Sequence, residues 1–82
     1  RSLAQSMARE FGPLGIHVAH VIVDGAIDTE WIEELFPETY AKKKDDGILN
    51  PEDIAEVYWQ LHLQKRSAWT QEMDLRPWME TF

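Results

Sequence analysis

Cysteine is absent from the 82 residues. That removes a disulfide framework, a thiolate metal site and a thiol nucleophile together. Positive charge is scarce. Eight Lys and Arg stand against fifteen Asp and Glu, a formal net charge of −7, which argues against nucleic acid and anionic membrane surfaces as partners. Long apolar runs are missing too; a membrane helix needs about 20 such residues in a row. None of the residues present reads as a signal peptide. A cysteine-poor, acidic, water-compatible chain fits a reducing cytoplasm. Gly and Pro number four each, while 44% of the residues are hydrophobic and 11% aromatic. This is the composition of a folded chain rather than a disordered one. At this length it is one small domain or a piece of a larger one. A chain of this size buries only about 60% of its unfolded surface and is marginal alone. It opens at Arg1, inside a helical pattern and without an initiator methionine, and is read as a piece of a larger domain.

The apolar spacing divides the chain into five elements. Over residues 1–11, Leu3, Met7 and Phe11 recur at helical spacing beside Ala4 and Ala8. Gly12-Pro13 stops that helix, with Gly12 expected in the left-handed position. Residues 16–23 are β-branched and almost continuously apolar, which predicts a strand covered on both faces inside a parallel sheet. Residues 30–36 place Trp31, Ile32, Leu35 and Phe36 on one side of a short helix that Pro37 interrupts. The charge run from Tyr40 to Gly47 reads as a solvated loop or helix end. Asn50-Pro51-Glu52-Asp53 is a helix start: a cap, a proline at the first position, then two acids at the positive dipole end. That helix runs to about Leu63. Residues 68–75 alternate and predict a second strand near a sheet edge; Trp78 to Phe82 form a tail. Helix, strand, short helix, helix, strand is an α/β order with a parallel crossover.

Little of this carries chemistry by itself. His17 and His20 point to opposite faces of a strand and cannot share a metal. His62 sits late in a helix, where a cation suits the dipole. No Ser/His/Asp triad, zinc motif, P-loop or Gly-x-Gly-x-x-Gly is present. Neither catalytic residues nor metal ligands are therefore assigned to this chain. Trp31, Trp59, Trp69 and Trp78 each lie among other apolar residues and read as packing groups. One loop stands apart, because Asp24-Gly25-Ala26-Ile27-Asp28-Thr29 follows the buried strand directly. The carboxyl end of a strand is where open α/β sheets place ligands. Gly25 permits a sharp turn. Ile27 can present its backbone amide and carbonyl to a ligand, and Thr29 offers a hydroxyl just before a helix. An ordinary strand-to-helix turn, with Thr29 or Asp28 as the cap, explains the same residues equally well.

Order and spacing together resemble a known family. Residues 3–18, Leu-Ala-Gln-Ser-Met-Ala-Arg-Glu-Phe-Gly-Pro-Leu-Gly-Ile-His-Val, resemble the segment that follows the Tyr-x-x-x-Lys helix start of short-chain dehydrogenase/reductases. Asp24 to Thr29 is similar to that family's Pro-Gly-x-x-x-Thr loop. Asn50 to Ala55 is similar to the start of its last large helix, and residues 68–75 to its final strand. The resemblance implies the carboxyl-terminal part of a single Rossmann-type, doubly wound parallel sheet domain spanning residues 1–82. It implies hydride transfer between NAD or NADP and a small carbonyl or alcohol substrate, in a homo-oligomeric enzyme. The family's catalytic Tyr, Lys and Ser and its Gly-rich loop have no counterpart here, so the chain alone is expected to be inactive. Gly25, Ile27 and Thr29 would hold the cofactor: Ile27 through its backbone to the carboxamide, Thr29 through its hydroxyl to the carboxamide or pyrophosphate. Trp31, Ile32, Leu35 and Phe36 would form the substrate lid. The competing reading is a non-catalytic binding or self-association module built on the same fold. Two departures from the family pattern matter. Asp24 stands where Pro is usual, with an Asx bond to the turn as its simplest use. Asp74-Leu75-Arg76-Pro77 stands where Asp-Gly-Gly is common.

Overall fold

The computed structural model describes residues 1–79. Helix α1 covers Ser2–Phe11 and leads through a 3₁₀ turn, Gly12–Leu14, to strand β1, His20–Val23. Helices α2 (Glu30–Leu35) and α3 (Pro37–Tyr40) follow, then a second 3₁₀ turn, Ala41–Asp45. Helix α4, Pro51–Leu63, and a third short turn, Arg66–Ala68, complete the crossover to strand β2, Glu72–Leu75. The two strands pair in parallel, His20 with Glu72 through Val23 with Leu75.

The helix boundaries follow local chemistry. Asn50 accepts the Glu52 amide on its side-chain oxygen at 2.9 Å, and Pro51 takes the first helical position of α4. Pro37 does not simply end the short helix; it begins α3, where its missing N–H costs nothing. The turn after α1 differs from expectation. Gly12 is right-handed (φ −53°), and Gly15 is the left-handed residue (φ 82°). Pro13 has a helix-compatible φ, so it prolongs the coil by a 3₁₀ turn before the chain reverses.

Both strands are shorter than the expected 16–23 and 68–75. Ahead of β1, His17 bonds the Thr70 carbonyl at 2.7 Å and stacks on Trp69, ring centres 4.6 Å apart. Ahead of β2, the Gln64 amide donates to the Thr70 hydroxyl and accepts the Thr70 N–H, both at 2.7 Å. Side-chain contacts thus hold the two segments where a backbone ladder was expected. At the start of the ladder Glu72 receives a forked pair from Arg1, at 2.8 and 3.0 Å, and lies 3.6 Å from His20 Nδ1. Ala19 and Val21 border a hollow with Tyr58 and Leu61 of α4, whereas Ile16 and Val18 border one with Ala8 of α1. Side chains alternate along an extended chain, so α4 and α1 lie toward opposite faces.

The expected burial on both faces is not what the described residues provide. His20, Val21 and Ile22 are half-buried and Val23 is exposed. Ile32, Ile48 and Leu61, at 6–8% exposure, are the buried hydrophobic residues among those described, and no large side chain is fully enclosed. The α1 stripe is covered only in part: Leu3 is 72% exposed, while Ala4, Ala8 and Phe11 are half-buried. The radius of gyration is 15.5 Å, against about 12 Å for a compact domain of this length. Exposed apolar area on this scale favours association. The 82-residue chain by itself is expected to sediment as an oligomer or aggregate at micromolar concentration. A well-dispersed monomer in sedimentation velocity would show instead that it closes a core of its own.

Candidate functional site

The candidate site lies where both strands leave the sheet. The Asp24 amide donates to the Leu75 carbonyl at 2.8 Å, extending the ladder by one step. The Asp24 carboxylate does not serve as an Asx cap. It pairs with Arg76 Nη2 at 2.9 Å, and Asp74 approaches the same guanidinium at 3.8 Å. An ion pair across two strand ends satisfies the carboxylate better than a local turn bond does.

Gly25 follows at φ 147°, a conformation that side chains rarely adopt. The position is also sterically closed: a Cβ there would stand 2.7 Å from Pro77 Cδ and 3.6 Å from Leu49 Cδ1. Beyond it, Ile27 forms an isolated parallel bridge with Leu49. The bonds of this bridge come from its neighbours, Leu49 N–H to Ala26 carbonyl at 2.7 Å and Asp28 N–H to Leu49 carbonyl at 2.8 Å. In a parallel bridge of this kind the flanked residue turns its own N–H and C=O the other way. Among the described residues neither backbone group of Ile27 has a partner.

Thr29 is the N-cap of α2, its hydroxyl oxygen accepting the Ile32 amide at 3.3 Å. Of the two caps the sequence allowed, the structure uses Thr29. Asp28 instead binds Lys43 at 3.0 Å. That hydrogen bond, then one to Tyr40, raises the Lys43 ammonium above its usual pKa of 10.5. Capping uses Thr29 only as an acceptor, so its hydroxyl proton remains available to donate.

Gly25, Ala26, Ile27, Thr29, Trp31 and Ile32 border one open hollow of about 350 Å³. Leu35 and Phe36 are not part of it; they border a separate hollow with Pro37 and Glu38. The four expected lid residues are therefore divided. Ile32 is buried and anchors α2, while Trp31, 59% exposed, meets Phe36 edge-on with ring centres 5.4 Å apart. A larger hollow of about 550 Å³ lies at the opposite end of the strands, near His17 and Trp69, and holds none of these residues.

Arg76, Pro77, Leu49 and Lys43 are the neighbours that sequence reasoning missed. Arg76-Pro77 read only as part of a departure from the family's Asp-Gly-Gly, and Lys43 only as part of a solvated charge run. The signal that pointed to Arg76, an acidic Asp24 at the matching end of the other strand, lies far from it in sequence. Gly25→Ala is expected to destabilise the protein by about 1–3 kcal/mol, because it meets both the strained φ and the Pro77 contact. Denaturant midpoints would measure this. Adding Pro77→Ala should return only the steric part of the loss.

No protein-family model matches the chain, and a search of curated proteins finds no match. Among solved structures, a short-chain dehydrogenase from Rhodopseudomonas palustris matches with a TM-score of 0.58 and 41% sequence identity. The match covers 95% of this chain and 26% of that one, so the chain spans about a quarter of the length of the protein it resembles. No helix among the described residues is long and apolar enough to cross a membrane. Over nearly its whole length the chain is thus similar, at 41% identity, to one part of a short-chain dehydrogenase.

Proposed function

We propose that residues 1–82 are the carboxyl-terminal part of a Rossmann-type domain, and that they supply the nicotinamide-side loop and part of the substrate lid of an NAD(P)-dependent oxidoreductase. The observation that carries this reading is the orientation of Ile27. Its amide and carbonyl face away from the Leu49 bridge and have no partner among the described residues. A carboxamide offers one acceptor and an NH₂ donor, the complement of one backbone N–H and one backbone C=O. The Thr29 hydroxyl adds a second donor beside the same hollow. These groups suit a neutral amide better than a pyrophosphate. Glu30 and Glu33 occupy the first turn of α2, and their charges would repel a phosphate at its amino end.

Bound nicotinamide would supply the hydride. The residues here would bind and orient it: Ile27 and Thr29 fix the ring edge, and Gly25 lets the backbone come close. Trp31, exposed at the rim, would cover a small carbonyl or alcohol substrate and exclude water, with Phe36 steadying its ring from outside. Proton transfer is assigned to no residue of this chain. The protein carrying it would act in the cytoplasm as a homo-oligomer.

Thr29 provides the test, because one atom serves both the cap and the ligand. In the full-length protein Thr29→Ala should weaken reduced-cofactor binding by about 1–2 kcal/mol, read by fluorescence titration with NADH and NADPH. Thr29→Ser keeps the hydroxyl and should bind like the wild type. Unchanged affinity in the alanine variant would contradict the role given to this loop.

A further inference from the structure

We infer that Asp24 and Arg76 form a positioning pair that sets the orientation of the Gly25–Thr29 backbone, an inference that rests on the proposed cofactor role of this loop for its catalytic consequence. The starting point is register. The ladder pairs Ile22 with Asp74 and Val23 with Leu75. Past the last bridge the same register continues without strand geometry: Asp24 meets Arg76 at 2.9 Å, and Gly25 packs under Pro77. Contacts between the two strand ends thus carry the register two residues further, up to Gly25 at the edge of the hollow. Two of the residues at which the chain departs from the pattern it resembles, Asp24 and Arg76, touch each other.

The exchange has a physical logic. A proline at position 24 would stiffen the start of the loop through its fixed φ but could not donate an N–H. Asp24 gives up that ring and gains two attachments to β2, the amide bond to Leu75 and the ion pair to Arg76. Arg76 is well placed to hold it. Its side chain is only 21% exposed, and Asp74 on β2 approaches the same Nη2 at 3.8 Å. A planar guanidinium can serve both carboxylates while fixing the direction of one. Ile27 lies three residues on and is held from the far side by Leu49. The loop is therefore held at several points, and the Asp24–Arg76 pair is the attachment at its start that a single substitution can release without touching the hollow.

The test uses the full-length protein with Asp24→Asn, Arg76→Gln, the double variant and Arg76→Lys. Amide hydrogen exchange is read without cofactor, and NADH and NADPH affinity and steady-state kinetics are read separately. Each single variant should speed exchange over residues 25–29 about tenfold, with the β1 amides unchanged. The double variant should be no worse than either single one, since coupled partners are not additive. Arg76→Lys, which keeps the cation but loses the planar fork, should fall between the wild type and Arg76→Gln. The KM for cofactor should rise about tenfold in the single variants while kcat changes less than twofold. Unchanged exchange over 25–29, additive effects in the double variant, or β1 amides loosening as much as the loop would each overturn the proposal. Faster loop exchange with unaltered cofactor affinity would uphold the positioning pair and overturn the cofactor reading of the loop instead.

Discussion

Parallel pairing of β1 with β2 is the contact on which the rest of the structure depends. Both strands lie far apart in sequence, and everything between them has to travel from the end of one to the start of the other. Parallel geometry sets this demand, since a tight hairpin cannot join two strands running the same way. The crossover contains α2, α3 and α4, and its path brings the carboxyl ends of both strands together at Asp24 and Arg76. The candidate site is a product of that convergence. Gly25, Leu49 and Pro77 come from three stretches of chain, and the last two crowd the space that a Cβ would need at the first.

Elements with strong local chemistry were legible in the sequence. The Asn50-Pro51 start, the α1 stripe and the short helix beginning at Glu30 were readable because caps, prolines and helical spacing act within a few residues. Strand limits were not. The β-branched run from Ile16 suits an extended chain, but a ladder exists only where a partner offers its backbone, and β2 offers four residues. The position of the left-handed glycine was missed because Pro13 acts on both sides of itself: it ends an α-helix and starts a 3₁₀ turn. In the site, Gly25, Ile27 and Thr29 were found as a contiguous loop. Arg76, Pro77 and Leu49 were not, since nothing local in the sequence links them to position 25. The division of the lid likewise depends on where α2 rests, with Ile32 facing inward and Leu35 left outside.

Few side chains are sealed from solvent, yet the loop is well determined. Its order comes from polar connections rather than from a hydrophobic interior. The Leu49 bridge, the Thr29 cap, the Asp28–Lys43 pair and the Asp24–Arg76 pair each fix a different residue of the loop. Such bonds are directional, and they specify orientation where a small apolar cluster specifies only proximity. A partly exposed α1 face and a well-oriented loop are thus compatible within one short chain.

The bridge between Ile27 and Leu49 has one more consequence. It closes a neck on the excursion that carries α2 and α3, because the chain leaves and rejoins the sheet region at two hydrogen-bonded points. Loop-closure entropy grows only slowly with length once a neck is tied. Changes in size or sequence beyond the neck are then absorbed within the excursion, while the backbone at Ile27 keeps its place. The neck separates the outer part of the excursion from the backbone that borders the hollow at Ile27. Divergence on the outer part of the excursion, away from Ile32 and Lys43, therefore has a mechanical licence that residues 24–28 lack.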